Sequence, residues 1–131
     1  MINPIANKVN YMVSRPDVGK TLNLEIDLLP EGVSNRPGTK ITPSFITIHN
    51  TDNTNTGADA RAHATYMKGP DARARKVSWH YTVDDQRCVK HLPTDEKGWH
   101  ASTSDGNNQS IGIEICMNSG IDQATANRRA A

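Results

Sequence analysis

Ser110-Ile111-Gly112-Ile113-Glu114-Ile115-Cys116-Met117 is the stretch on which the reading of this chain turns. Ile111, Ile113 and Ile115 recur at every second residue, the period of a strand, and Gly112, Glu114 and Cys116 fall on the opposite face. Burying an unpaired carboxylate in such a strand is costly. Glu114 therefore faces water, on the open side of an antiparallel sheet, a cation or a cleft. In a cleft, partial desolvation would raise its pKa and suit it to acid–base work.

Outward from this strand the same period recurs. Ser44 to His49 reads as a strand with Ile46 and Ile48 on one face and Thr47 and His49 on the other. It runs into Asn50-Thr51-Asp52-Asn53-Thr54-Asn55-Thr56, whose side chains bond their own backbone and favour loops. An alanine-rich helix is predicted from about Ala58 to Met67, closed by Gly69-Pro70. Ser78 to Asp84 is predicted as a strand with Trp79, Tyr81 and Val83 on one face and His80, Thr82 and Asp84 on the other. Arg87 to Leu92 pairs with it as a hairpin. Pro93 to Asn108 reads as a long polar connection, with Ser104 to Asn108 as pure loop. Asp122 is placed as the N-cap of a last helix. Leu22, Leu24, Ile26 and Leu28 alternate with polar residues and suggest a short edge strand in an otherwise irregular segment, residues 1–43. The order strand, helix, hairpin, loop, strand, helix implies an α/β domain, a mixed central sheet flanked by helices.

The 131 residues suffice for one domain. With aromatics at 5%, the core is built from Ile, Val, Leu, Met and Ala. Fifteen basic and fourteen acidic side chains leave a net charge of +1. No nucleic-acid or membrane partner held by bulk charge is expected, and Arg128 and Arg129 read as a solvated helix face. Cys88 and Cys116 lack CxxC partners and are expected as free thiols in or near strands. Met1 to Asn10 carry no signal-peptide pattern, and no stretch approaches the roughly 20 apolar residues that cross a bilayer. HExxH, GxSxG and Walker motifs are absent.

Among the five histidines, His49 ends an apolar strand on its polar face, where functional groups collect in α/β sheets. It is either a zinc ligand or a strand-end imidazole bonded to the backbone. His80 and His100 each follow a tryptophan and are either cleft residues or packed polar tips. His63 and His91 read as structural or solvated.

Five ordered motifs carry a resemblance across about residues 30 to 127. They are Asn35-Arg36-Pro37-Gly38, Ile46-Thr47-Ile48-His49-Asn50-Thr51, Ser78-Trp79-His80-Tyr81-Thr82-Val83-Asp84-Asp85, Gly98-Trp99-His100-Ala101 and Ser110 to Cys116. Together they resemble the type-2 N-acetylmuramoyl-L-alanine amidases of phage and prophage endolysins, related in fold to peptidoglycan recognition proteins. The resemblance implies a zinc-dependent hydrolase that cuts peptidoglycan between N-acetylmuramic acid and L-alanine. It makes residues 31–131 the amidase-like domain, C-terminally incomplete, and residues 1–30 an extension or arm. His49 would be a Zn²⁺ ligand, with the family's two other ligands expected beyond the last helix. Glu114 would be the general base. His80 and His100 would bond the substrate or the oxyanion, and Asn50 and Thr51 would orient the ligand. The resemblance further implies a protein made in the cytoplasm that acts on the cell wall after release. A muropeptide-binding fragment without a complete zinc site is the alternative, and weak zinc binding with little hydrolysis is the expectation for these residues alone.

Overall fold

The computed structural model describes residues 22–131. Five strands form one mixed sheet: β1 (Leu24–Ile26), β2 (Phe45–Asn50), β3 (Tyr81–Val83), β4 (Cys88–Lys90) and β5 (Ser110–Ile115), in the order β1-β4-β3-β5-β2. β3 and β4 are the antiparallel hairpin, and the other pairings are parallel. The predicted edge strand is present as β1, against β4. Residues just before the expected domain start therefore join the sheet, and Leu29 lies in the core. The helices are α1 (Ala60–Lys68), α2 (Pro70–Arg75), α3 (Ser104–Gln109) and α4 (Gln123–Ala130).

Two of these helices were not expected. Gly69-Pro70 does end α1, but a proline has no N–H to lose at the first helical position, so Pro70 also starts α2. Ser104 to Asn108, expected as loop, lie instead in a six-residue helix that runs to Gln109, because the Thr103 side chain caps the Gly106 N–H. The cap at Asp122 is as expected, its carboxylate accepting from the Thr125 N–H.

α1 packs on the sheet face that carries Thr82, Val89 and Glu114. Ala60, Ala64 and Met67, at positions i, i+4 and i+7, form its buried stripe. Ala60 and Ala64 meet Val89 and Cys116, and Met67 meets Leu29, Trp79 and Leu92. Trp79 thus leaves the face predicted for it. It lies before β3 begins, packs toward α1, and donates from its indole Nε1 to Thr82 Oγ1 at 2.7 Å. Both cysteines are free and buried, and burial pushes each thiol up to about 12.

The turn at Asn35 to Gly38 is anchored from inside. The Asn35 amide donates to the carbonyls of Met67 and Val77. Arg36 forms a two-pronged ion pair with Glu96, Nε to Oε1 at 3.1 Å and Nη2 to Oε2 at 2.8 Å. Among the described residues β2 is an edge strand, bonded to β5. Ile46 and Ile48, on the face opposite His49, are 45% and 52% exposed. No helix among the described residues is long and apolar enough to cross a membrane.

Candidate active site

The parallel register of β2, β3 and β5 brings the decisive side chains together. His49 on β2 and Thr82 on β3 lie directly across from Glu114 on β5. All three share the face over which α1 packs, toward the carboxyl ends of their strands, where α/β sheets bind ligands. A cleft of about 420 Å³ opens there. Glu114 and Thr51 line it from the strand ends, His63 and Tyr66 from α1, and Asp71 and Arg75 from α2.

Glu114 has no ion-pair partner among the described residues, and its buried Oε2 accepts no hydrogen bond. Burial alone pushes its carboxyl up to about 7. A carboxyl poised near neutrality in a cleft exchanges protons at working pH, as a general base must. Thr51 Oγ1 is also buried without a partner, and its backbone N–H extends the β2–β5 ladder to the Ile115 carbonyl. Asn50 is exposed, and its side-chain oxygen accepts from the Asp52 N–H, shaping the turn after β2.

The three central histidines form a row. Ring centroids are 5.6 Å apart for His49 and His100 and 5.8 Å for His80 and His100, both edge-on. His80 Nδ1 accepts from the Gly112 N–H at 2.9 Å, so Nε2 carries the proton and donates to the Glu96 carbonyl at 2.7 Å. His80 is wholly buried with both nitrogens engaged, which leaves it no free nitrogen for the substrate contact expected of it. It supports the site from below. His100 Nδ1 is 3.4 Å from His49 Nε2, a long contact. Burial, then the neighbouring His80 and His49, pull the His100 imidazole down to about 4, and burial lowers His49. Both are neutral at pH 7.

Two positioning residues escaped the sequence reading. Asn107 Oδ1 accepts from the backbone N–H groups of His100 and Ala101, and its amide donates to the Ala101 carbonyl. α3 therefore serves to hold the His100 backbone. Gly112 lets the His100 ring lie flat on β5, since a Cβ there would sit 2.6 Å from the ring. A glycine inside an apolar strand is the signal that marked such a close approach. Gly112→Ala should expel His100 at a cost of about 1–3 kcal/mol, the usual range for overpacking. Urea unfolding measures the cost. Histidine NMR should show the His100 pKa rising from about 4 toward the ordinary 6.5 as the ring gains solvent. An unmoved pKa would refute this account.

His63 and His91 are both buried, and His63 also lines the cleft. His63 Nδ1 bonds the Asp59 carbonyl within α1's first turn, and buried His91 Nε2 pairs with Thr82 Oγ1 at 2.7 Å. For a zinc ion, His49 is one neutral imidazole at the right place. Among the described residues, however, no three His, Cys, Asp or Glu side chains are grouped to hold a metal. These residues by themselves do not fit the ion, which needs about three protein ligands in a catalytic site.

A family model described as N-acetylmuramoyl-L-alanine amidase matches residues 38–131. The N-acetylmuramoyl-L-alanine amidase XlyA of Bacillus subtilis (strain 168) is 53% identical over 110 residues, which are 81% of this chain and 36% of that protein. The amidase CwlH of the same organism is 47% identical over 111 residues, 81% of this chain and 43% of CwlH. The chain thus spans less than half the length of these curated relatives. The solved catalytic domain of XlyA matches with a TM-score of 0.78 at 52% identity, over 82% of this chain and 70% of that one. The structure of PlyL matches with a TM-score of 0.70 at 28% identity, over 82% and 67%.

Proposed function

The chain belongs to the N-acetylmuramoyl-L-alanine amidase family, and from that premise we propose that its cleft serves hydrolysis of the amide joining the lactyl group of N-acetylmuramic acid to L-alanine in peptidoglycan. The observation that carries the reading is Glu114, unpaired and raised to about 7 on the floor of the cleft. Ionised Glu114 takes a proton from the attacking water as its oxygen bonds the lactyl carbonyl carbon. The C–N bond then breaks, and the carboxyl returns the proton to the departing amine of L-alanine. On this reading neutral His100, whose Nδ1 lies 3.4 Å from His49 Nε2, bonds the substrate or the oxyanion. Thr51 Oγ1 is a further hydrogen-bonding group at the cleft wall.

Zinc dependence is part of the proposal at one residue only. His49 is the ligand this chain offers, and two more would have to come from outside the described residues. Action on the wall after release from the cell belongs to the same reading.

Incubating purified cell walls with the chain tests it. Hydrolysis at this bond liberates the amino group of L-alanine without new reducing sugar ends. Amine release is the expected result, and a chelator followed by added Zn²⁺ reads out whether ligands outside the described residues complete the site at His49. Co-sedimentation with walls and no amine release, with or without Zn²⁺, would overturn the hydrolase reading in favour of a muropeptide-binding module.

A further inference from the structure

The described surface offers three features that the proposed chemistry leaves unused: the apolar edge of β2, the buried Trp79–Thr82–His91 chain, and a polar cluster on α1 and α2. Nothing seated on β2 says what covers it, and the buried chain reaches no ligand. The third lines the same cleft as Glu114.

Tyr66, Asp71 and Arg75 form this cluster. The Tyr66 hydroxyl donates to Asp71 Oδ2 at 2.8 Å, and Arg75 Nη1 reaches the Tyr66 oxygen at 3.4 Å and Asp71 Oδ2 at 3.5 Å. Both Arg75 contacts are long, and only Nη1 makes them. Nε and Nη2 bond no other described residue. The side chain is 66% exposed. Arg75 is the single Lys or Arg among the described residues lining the cleft. An Asp four residues before an Arg on a helix is commonly a solvated pair worth little. Here the pair sits on a concave wall shared with the catalytic carboxyl, with its guanidinium fork open. A fork of parallel N–H donors matches a carboxylate.

Two arms of the substrate leave the scissile amide. The glycan arm carries hydroxyl and acetamido groups and no charge. The peptide arm carries carboxylates. We propose that Arg75, steered by Asp71 and Tyr66, binds the free carboxylate of the second stem-peptide residue, and so sets both the direction of the peptide in the cleft and a preference for stems whose carboxylate is not amidated. This rests on the muropeptide reading above. The Tyr66 hydroxyl and Asp71 engage Nη1 and leave Nε and Nη2 to the ligand.

Two soluble probes differ only at the group in question: N-acetylmuramoyl-L-alanyl-D-glutamate and its α-carboxamide, N-acetylmuramoyl-L-alanyl-D-isoglutamine. Titration calorimetry or NMR shifts with the native chain should give about tenfold tighter binding of the acid, one charge-assisted bidentate contact. Arg75→Gln should bring the two probes to parity. Arg75→Lys, which keeps the charge and loses the fork, should retain only part of the preference. Asp71→Asn should strengthen binding of the acid by freeing the guanidinium. Arg75 and Asp71 are exposed, so these variants fold. Equal affinity for both probes in the native chain, or a preference that survives Arg75→Gln, overturns the Arg75 assignment and leaves the muropeptide reading standing. Binding of neither probe overturns both.

Discussion

On the proposed hydrolase reading, Glu114→Gln should slow cleavage of the lactyl amide about a hundredfold to ten-thousandfold, the span that a positioned general base contributes. The substitution preserves size and shape and removes only the ability to accept a proton. On the same reading, activity should rise with pH as Glu114 ionises, with its lower limb near pH 7, because burial raises the carboxyl to about 7. The variant lacks that limb. The same carboxyl weakens the fold. Its folded pKa lies above the ordinary 4.5, so the folded state binds more protons than the unfolded state between pH 4.5 and about 7. The protonated form is tolerated without cost below pH 4.5. Stability is lost as pH rises through the folded value and the carboxylate must be buried ionised. Glu114→Gln should therefore melt higher than the native chain at pH 8 and equally at pH 4, a gain in stability bought with activity. Amine release against pH and thermal melts of both chains measure the two halves. Near-native turnover with an unchanged pH profile would remove Glu114 from the mechanism.

Arg36→Met is expected to cost about 3–5 kcal/mol, as when one partner of a buried ion pair is removed and the other is stranded. Arg36 and Glu96 side chains are 9% and 7% exposed, and Arg36 Nη1 also donates to the Leu29 carbonyl at 2.6 Å. Without Arg36, the Glu96 carboxylate keeps, among the described residues, Lys40 Nζ, 4.0 Å away on the surface. The Glu96 carbonyl receives the His80 Nε2 proton, so disorder at Glu96 reaches the row of histidines. The pair also sets an acid limit. Arg36 holds the Glu96 carboxyl below its ordinary 4.5, so its stabilising contribution is complete above that value and is lost as pH falls through the folded one. Arg36→Met should abolish this acid-labile contribution. Arg36→Met with Glu96→Leu should recover most of the loss, since an apolar pair of similar volume is often neutral. Urea unfolding of the single and double variants at pH 7 and pH 4 is the measurement. A single variant within 1 kcal/mol of native stability would show the pair to be dispensable.

Period-two patterning made the sheet legible. Ile111, Ile113 and Ile115 alternate without interruption, and the hairpin and the flanking parallel strands stand where that alternation puts them. Glu114 and His49 were legible for the same reason: a polar group at a fixed parity within an apolar strand has one face to occupy. What stayed hidden depends on tertiary partners. Nothing local distinguishes Asn107 from the other loop formers around it; only the His100 and Ala101 N–H groups it receives make it a strut. His80 resembles His100 in local sequence, yet Gly112 and Glu96 occupy both its nitrogens. Pro70 reads as a stop because it ends one helix, and the same missing N–H that forbids continuation permits a start.

The edge position of β2 divides the site into halves of unequal security. Glu114 stands on an interior strand with ladder bonds on both sides, whereas His49 stands on a strand held, among the described residues, from β5 alone. Local opening of β2 requires breaking one ladder and exposes isoleucines already partly in water. Its amide protons therefore trade with deuterium before those of β5, and the imidazole is the part of the centre that wanders while the carboxyl stays fixed. A ligand that touches both residues would do its tightening on the histidine side and slow exchange in β2 far more than in β5.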